Sequence, residues 1–267
     1  MARLGPPHWR KPPPAVRFGL LAARGLGQAR RAVWLNARLI AAELFPLGVT
    51  VDCAPVLDLG LPETHAVIGD RAFGDDPALV AALGRAFCDG LLAGGVLSVI
   101  KHIPGHGRAR ADSHLELPEV STPREILSAT DFRPFTALAD QPWAMTAHLR
   151  YSAIDARAPA TTSGKLIAEV IRGEIGFDGV LVSDDLGMQA LEGNLSSRAE
   201  AALAAGCDLV LHCSGVLAEM ERLTEAVPPL TNAAAVRLDR AEARRGRPET
   251  FDRIEAMAEL DALLAAA

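Results

Sequence analysis

No apolar run in this chain is long enough to cross a bilayer. Continuous apolar stretches such as 179–182 and 209–211 fall far short of the roughly 20 residues a spanning helix needs. The opening Met1-Ala-Arg-Leu-Gly-Pro-Pro-His-Trp-Arg10 lacks an apolar core, so it does not read as a secretory signal. The four cysteines, Cys53, Cys88, Cys207 and Cys213, stand far apart with no CxxC pair. They read as reduced, mostly buried thiols, and the expected compartment is the cytoplasm. Basic residues are scattered, 27 against 33 acidic ones for a net charge of −6, so there is no electrostatic footprint for nucleic acid. Internal repeats and low-complexity segments are also missing, and Pro12-Pro13-Pro14 is a stiff leader rather than a linker between domains. Membrane proteins, disulfide scaffolds and nucleic-acid binders are thereby set aside.

What remains is an ordinary globular composition, 49% apolar and 22% charged, in 267 residues. That length suits one large α/β core, and residues 1–267 are taken as a single domain. Short β-type runs alternate with longer helical patterns, as βαβ units on a parallel sheet require. Strands are expected at 49–53, 97–101, 144–148, 180–183 and 208–212. Val180-Leu-Val182 and Leu209-Val-Leu211 are continuous apolar runs, as parallel strands buried on both faces should be.

The helices carry their own punctuation. Asp76 before Pro77 reads as an N-cap with proline at N1, ahead of a stripe of Leu79, Leu83, Phe87 and Leu91. Thr122-Pro123-Arg124-Glu125 fits a capping box. Ser163 caps a helix bearing Leu166, Ile167, Val170 and Ile171, which Gly176 stops. Ser196 and Gly206 bracket the next, and a final helix carries Phe251, Ile254, Met257, Leu260 and Leu264 on one side. Five strands fall short of the eight of a closed βα-barrel.

In such a barrel the active site lies at the C-terminal ends of the strands, so polar residues just after strand runs are the candidates. The first strand leads into Ala54-Pro-Val-Leu-Asp58 and then Ile68-Gly-Asp-Arg-Ala-Phe73. The second leads into Lys101-His-Ile-Pro-Gly-His-Gly107 and then Ala111-Asp-Ser-His114. The third ends at His148, and the fourth in Ser183-Asp-Asp-Leu-Gly-Met188.

These four motifs, in this order, resemble the motif set of the cytoplasmic family 3 glycoside hydrolases that act as β-N-acetylhexosaminidases in peptidoglycan recycling. The resemblance runs from about Arg3 to about Ser214. It implies a (β/α)8 barrel of the TIM type and retaining hydrolysis of terminal N-acetylglucosamine from muropeptide-derived glycosides, with no cofactor and no metal. On this resemblance Asp184 is the nucleophile, His114 the general acid/base on a mobile loop, and Asp112 its dyad partner. Lys101 and His102 hold sugar hydroxyls, Arg71 binds substrate, and Arg3 matches a further binding arginine. His148 joins the substrate-binding candidates, open between a pocket position and a hydrogen-bonded core one. Asp58 reads as a supporting hydrogen-bond acceptor and His212 as structural.

The chemistry suits these residue types. A retaining glycosidase needs a carboxylate to form a glycosyl-enzyme and a second group to protonate the leaving oxygen. A histidine with a reference pKa of ~6.5 can fill that second role near neutral pH, oriented by a neighbouring aspartate.

The bland readings stand beside these. Asp184 or Asp185 could cap a helix, Arg71 could pair with Asp70 or Asp75, and His102, His106, His114 and Asp112 could be metal ligands. The rival functions are a phosphorylase on the same scaffold, a metal-dependent hydrolase using the histidine cluster, and an inactive fragment. The resemblance also implies three further βα units ahead of the segment around Arg3. The fold is therefore expected as an incomplete TIM-type barrel of about five strands, with unpaired edges and exposed core-facing side chains.

Overall fold

The computed structural model describes residues 5–265. Arg3, a candidate substrate-binding residue, lies outside them. The described chain opens with two helices that the sequence pattern did not announce, α1 (Ala15–Ala22) and α2 (Leu26–Leu44). Strand β1 (Val51–Asp52), helix α3 (Pro77–Ala93) and strand β2 (Leu97–Ile103) follow. Next come β3 (Glu119–Val120), α4 (Arg124–Ala129), α5 (Arg133–Ala137), β4 (Trp143–Thr146) and β5 (Arg150–Tyr151). The short α6 (Gly164–Leu166) continues as a π-helical stretch, Ile167–Glu174. Strand β6 (Val180–Asp185), α7 (Leu195–Ala205), β7 (Leu209–Leu211), α8 (Leu217–Ala226), α9 (Asn232–Ala243) and α10 (Arg253–Ala265) complete the order. No helix among the described residues is long and apolar enough to cross a membrane.

The main sheet has five strands in the order β1-β2-β4-β6-β7, every neighbouring pair parallel. All five lie on the runs expected from sequence, and they form an open, curled arc of TIM-barrel type rather than a closed ring. The central strands are buried along most of their length, whereas Val51 at one edge and Leu209 to Leu211 at the other are only half-buried. A second, two-stranded parallel pairing of β3 with β5 was not expected. Each of those strands is two residues long, too short to show an alternating pattern.

Helix α2 packs along α3, and α10 returns from the far end of the chain to cover α2. Trp34 meets Phe251 edge to face at 6.3 Å between centroids, and Arg38 lies 4.3 Å over the Phe251 ring while donating to the Glu249 carbonyl. Arg31 grips Glu259 with both Nε and Nη2. The α10 face is formed by Leu260 and Leu264, but Ile254, expected beside them, is 84% exposed. It belongs to the first turn, where Asp252 accepts its amide and that of Glu255, and the buried stripe begins only at Ala256.

Local punctuation was mostly legible. Asp76 accepts the Ala78 amide at 2.9 Å with Pro77 at N1, and Ser163 accepts the Leu166 amide at 3.0 Å. Gly176 and Gly206 close their helices at φ 75° and 116°. Two expectations are corrected. Thr122 forms no capping box: α4 starts after Pro123, whose carbonyl accepts from Ile126 and Leu127, with no side-chain cap. Helix α7 is capped by Asn194 through the Ser197 amide rather than by Ser196. Cys88 and Cys207 are buried, and burial pushes both thiols up to about 12, while Cys53 and Cys213 reach the surface.

The α2–α3 contact is close enough to depend on a missing side chain. A Cβ on Gly90 would lie 2.5 Å from the Trp34 carbonyl oxygen and 2.9 Å from Ala37 Cβ. Gly90→Ala should therefore destabilise the fold by about 1–3 kcal/mol, although alanine is the better helix former. Chemical denaturation of the two proteins checks this; a variant as stable as the parent would mean the helices separate without cost.

Candidate active site

The C-terminal end of β2 is where the polar residues gather. Its backbone is irregular there: Lys101–His102 and Ile103–Pro104 are cis, and the pairing with β4 shifts register between Lys101 and Ile103. Behind it lies Asp58, which is 0% exposed. Asp58 Oδ2 is 2.7 Å from His102 Nδ1, and its Oδ1 accepts the amides of His102 at 3.1 Å and His106 at 2.6 Å. Burial by itself would raise the Asp58 pKa, but the facing charge and hydrogen bond of His102, with His106 behind them, hold it at about 2. The carboxylate is therefore ionised, and His102 directs its Nδ1 at Asp58 and its Nε2 outward.

Outward lies Asp184. His102 Nε2 is 3.8 Å from Asp184 Oδ2, and the Asp185 amide donates to Asp184 Oδ1 at 2.8 Å. Burial pushes the Asp184 carboxyl up, yet His102, His148, the Asp185 amide and Lys101 together bring it below the ordinary carboxylate range. A half-buried carboxylate held below its ordinary range by the rings and amine around it, with a single backbone donor on one oxygen, has the other oxygen left for chemistry.

His148 is buried, with Nδ1 2.7 Å from Thr161 Oγ1 and Nε2 3.1 Å from the Asp185 carbonyl. Both ring nitrogens are engaged within the protein, so the ring braces the strand that bears Asp184. Burial lowers its pKa. Asp185 caps no helix, contrary to the bland reading, because β6 runs into a turn and α7 begins only at Leu195. Its Oδ1 accepts the amides of Gly187 at 3.0 Å and Cys213 at 3.1 Å, tying β6 to the loop after β7. His212 stands 3.6 Å from the same oxygen and contacts Glu219 and Ser214 through Nε2, a structural position as expected.

Asp112 and His114 form a pair on the surface. Asp112 Oδ1 accepts from the His114 amide at 2.9 Å and lies 2.8 Å from its Nδ1. The backbone bond first, then the ring, hold Asp112 below its ordinary value. The His114 side chain is 59% exposed and its Nε2 is turned away from that pair. Arg71 ends a short 3-10 turn, Gly69–Arg71, and donates to the Val67 carbonyl at 3.0 Å rather than to Asp70 or Asp75. Among the described residues no group of three His, Cys, Asp or Glu side chains is arranged to hold a metal ion. Sequence reasoning missed Ser113, buried between Asp112 and His114, and Thr161, the partner of His148. Neither carries a signal in a short polar loop until the fold brings its partner.

Parallel strands in an open βα arc, with carboxylates and histidines at their C-terminal ends, define a barrel-type α/β protein with its polar site in the expected place. The chain belongs to glycosyl hydrolase family 3, whose N-terminal domain matches residues 16–244. It is 45% identical over 240 residues to a Beta-hexosaminidase of Alkalilimnicola ehrlichii, covering 86% of this chain and 66% of that protein. With a Beta-hexosaminidase of Hydrogenovibrio crunogenus it shares 40% over 221 residues, covering 80% and 60%. The chain thus spans between 60% and 66% of the length of these curated relatives. Among solved structures, NagZ from Neisseria gonorrhoeae in complex with N-trifluoroacetyl-D-glucosamine superposes with a TM-score of 0.84 at 33% identity, over 97% of this chain and 77% of that one.

A carboxyl depressed in the folded state stabilises the fold above its unfolded pKa, and that stability is lost as pH falls through the folded value. For Asp58 the window runs from its ordinary 3.8 down to about 2, a contribution of roughly 2 kcal/mol. Asp58→Asn should be less stable than the parent at neutral pH, with a shallower loss of stability across that acid window. Denaturant unfolding at a series of pH values checks it; parallel acid limbs for the two proteins would remove Asp58 from this role.

Proposed function

We propose that this chain carries the catalytic groups of a retaining exo-β-N-acetylglucosaminidase, acting on terminal N-acetylglucosamine of muropeptide-type glycosides in the cytoplasm. The observation that carries the reading is the half-buried Asp184, its carboxyl held below the ordinary range, facing His102 at 3.8 Å, with the Asp112–His114 pair on a separate, solvent-facing loop. The names of the curated relatives and the glucosamine derivative bound by the gonococcal neighbour support the sugar class.

In the first step an Asp184 carboxylate oxygen attacks the anomeric carbon while His114 gives its proton to the departing glycosidic oxygen. The bond to the aglycone breaks and a glycosyl ester forms. In the second, His114 takes a proton from water, the water oxygen bonds to the anomeric carbon, and the Asp184 carboxylate is released. Asp112 accepts a hydrogen bond from His114 Nδ1–H throughout, leaving Nε2 as the transferring atom. Lys101, His102 and Arg71 are the proposed hydroxyl-binding groups, with Arg3 as a further candidate for substrate contact, while His148, both of its ring nitrogens engaged within the protein, acts as a brace. Because the second group is a histidine, the usual separation rule for two catalytic carboxyls does not apply.

The reading predicts that Asp184→Ala abolishes turnover, while Asp185→Ala keeps measurable activity and instead lowers the melting temperature by loosening the tie between β6 and the β7 loop. A 2-fluoro N-acetylglucosamine-type inactivator should label one peptide, the one containing Asp184, as mass spectrometry would reveal. Equal residual activity in the two folded variants would sink the assignment. Sugar 1-phosphate formed in phosphate buffer would turn it to phosphorolysis.

His114→Ala should slow glycosides with poor leaving groups by ~10²–10⁴-fold and spare activated aryl glycosides, whose aglycone scarcely needs a proton. Steady-state rates across a leaving-group series test this. A uniform loss would point to binding or folding.

A further inference from the structure

The segment between β2 and β3 has no regular structure of its own over 104–118, yet one residue in its exposed part is buried. His114, Leu115 and Glu116 face solvent, while Ser113 is 4% exposed. Its Oγ lies 3.2 Å from His106 Nε2, and His106 is buried as well, its amide donating to Asp58 Oδ1 at 2.6 Å. His106 Nδ1 is buried with no hydrogen-bond partner among the described residues. That favours the tautomer with the proton on Nε2, since an orphaned lone pair costs less than an orphaned N–H. His106 Nε2–H then donates to Ser113 Oγ. Burial first, then the neighbouring His102, lower the His106 pKa to about 4, so the ring is neutral near pH 7. On the other side, the Gln189 amide donates to the His114 carbonyl at 3.3 Å, from the loop that follows Asp184.

We propose that His106 and Ser113 are positioning residues: their bond tethers the loop bearing Asp112 and His114 to the Asp58 anchor that also orients His102 beside Asp184. The inference rests on the reading of His114 as the acid/base, but the tether can be measured without it. Neither residue touches the reacting atoms. Their effect is to hold the loop that bears Asp112 and His114 against the end of β2, while the exposed His114 ring and its neighbours remain free to move for substrate. One carboxylate would thereby register both arms of the reaction, the nucleophile through His102 and the proton donor through His106.

The test compares the full chain with Ser113→Ala, His106→Phe and the double variant by amide hydrogen exchange of the 109–116 segment, with hydrolysis of alkyl and activated aryl N-acetylglucosaminides alongside. Losing one neutral hydrogen bond should speed exchange of that segment about 3- to 10-fold. The double variant should exchange no faster than the faster single, because both remove the same bond. Alkyl glycoside turnover should fall several-fold more than aryl turnover. Exchange within about two-fold of the parent in Ser113→Ala, or additive effects in the double, would overturn the tether. Exchange as expected with equal losses on both glycosides would overturn its positioning role. If His106→Phe does not fold, Ser113→Ala decides alone, since it only deletes a hydroxyl. If the parent hydrolyses neither glycoside, the hydrolase reading fails while the exchange arm still decides the tether.

Discussion

A single carboxylate, with no exposure to solvent, receives three donors from one stretch of chain: the ring and amide of His102 and the amide of His106. An ionised group in that position is tolerable only because the donors are already in place, and the donors are ordered only because the charge is there. The irregular end of β2 gains its definition from this mutual dependence. Main-chain pairing continues through Lys101 and Ile103, but its register with β4 shifts between them, at His102. Tyr151 adds a second brace, its hydroxyl donating to the Gly105 carbonyl at 2.6 Å from the unexpected β3–β5 pairing.

The electrostatics of Asp184 follow from the same arrangement. Burial alone would favour its neutral form, and a neutral carboxyl is no nucleophile. His102, aimed by Asp58, and His148, held by Thr161, surround it, while the Asp185 amide fixes one oxygen. Each of these groups is in turn fixed by something other than Asp184. These groups are thus held in place by the protein itself, the preset arrangement of dipoles and charges that the proposed nucleophile requires. The Asp112–His114 pair differs. It lies on irregular backbone with His114 facing solvent, where the proposed acid/base has room to move.

The helices supply the frame. α2 and α3 lie against one another closely enough that glycine is needed at the crossing, and the C-terminal segment closes over α2 through Phe251, with Arg38 over its ring, and through Arg31, which stacks on Trp34 and pairs with Glu259 of α10. α3 in turn packs on β2. The opposite edge, β7, is half-buried and is joined to β6 by the Asp185 carboxylate as well as by its ladder.

By itself the sequence determined the five strands, the parallel α/β class, most helix caps and the identity of the chemical groups. Apolar runs of strand length and residues such as Asp76, Ser163 and Gly176 act through their immediate neighbours, so their meaning survives in one dimension. The motifs at the strand ends likewise marked Asp184, His114, Asp112, His102 and Asp58 as candidates. The tertiary structure alone decided what those groups face. Asp58 and His102 are 44 residues apart, His148 and Asp185 37, and Asp185 and Cys213 28. No local pattern encodes such pairs, because they exist only once the strands stand in register. For the same reason Asp185 looked like a helix cap and Ile254 like core. Asp185 was defined by Cys213 beyond the neighbouring strand, Ile254 by how far along its helix the neighbouring layer reaches, and Ser113 gained its partner His106 only when the loop folded back over seven residues.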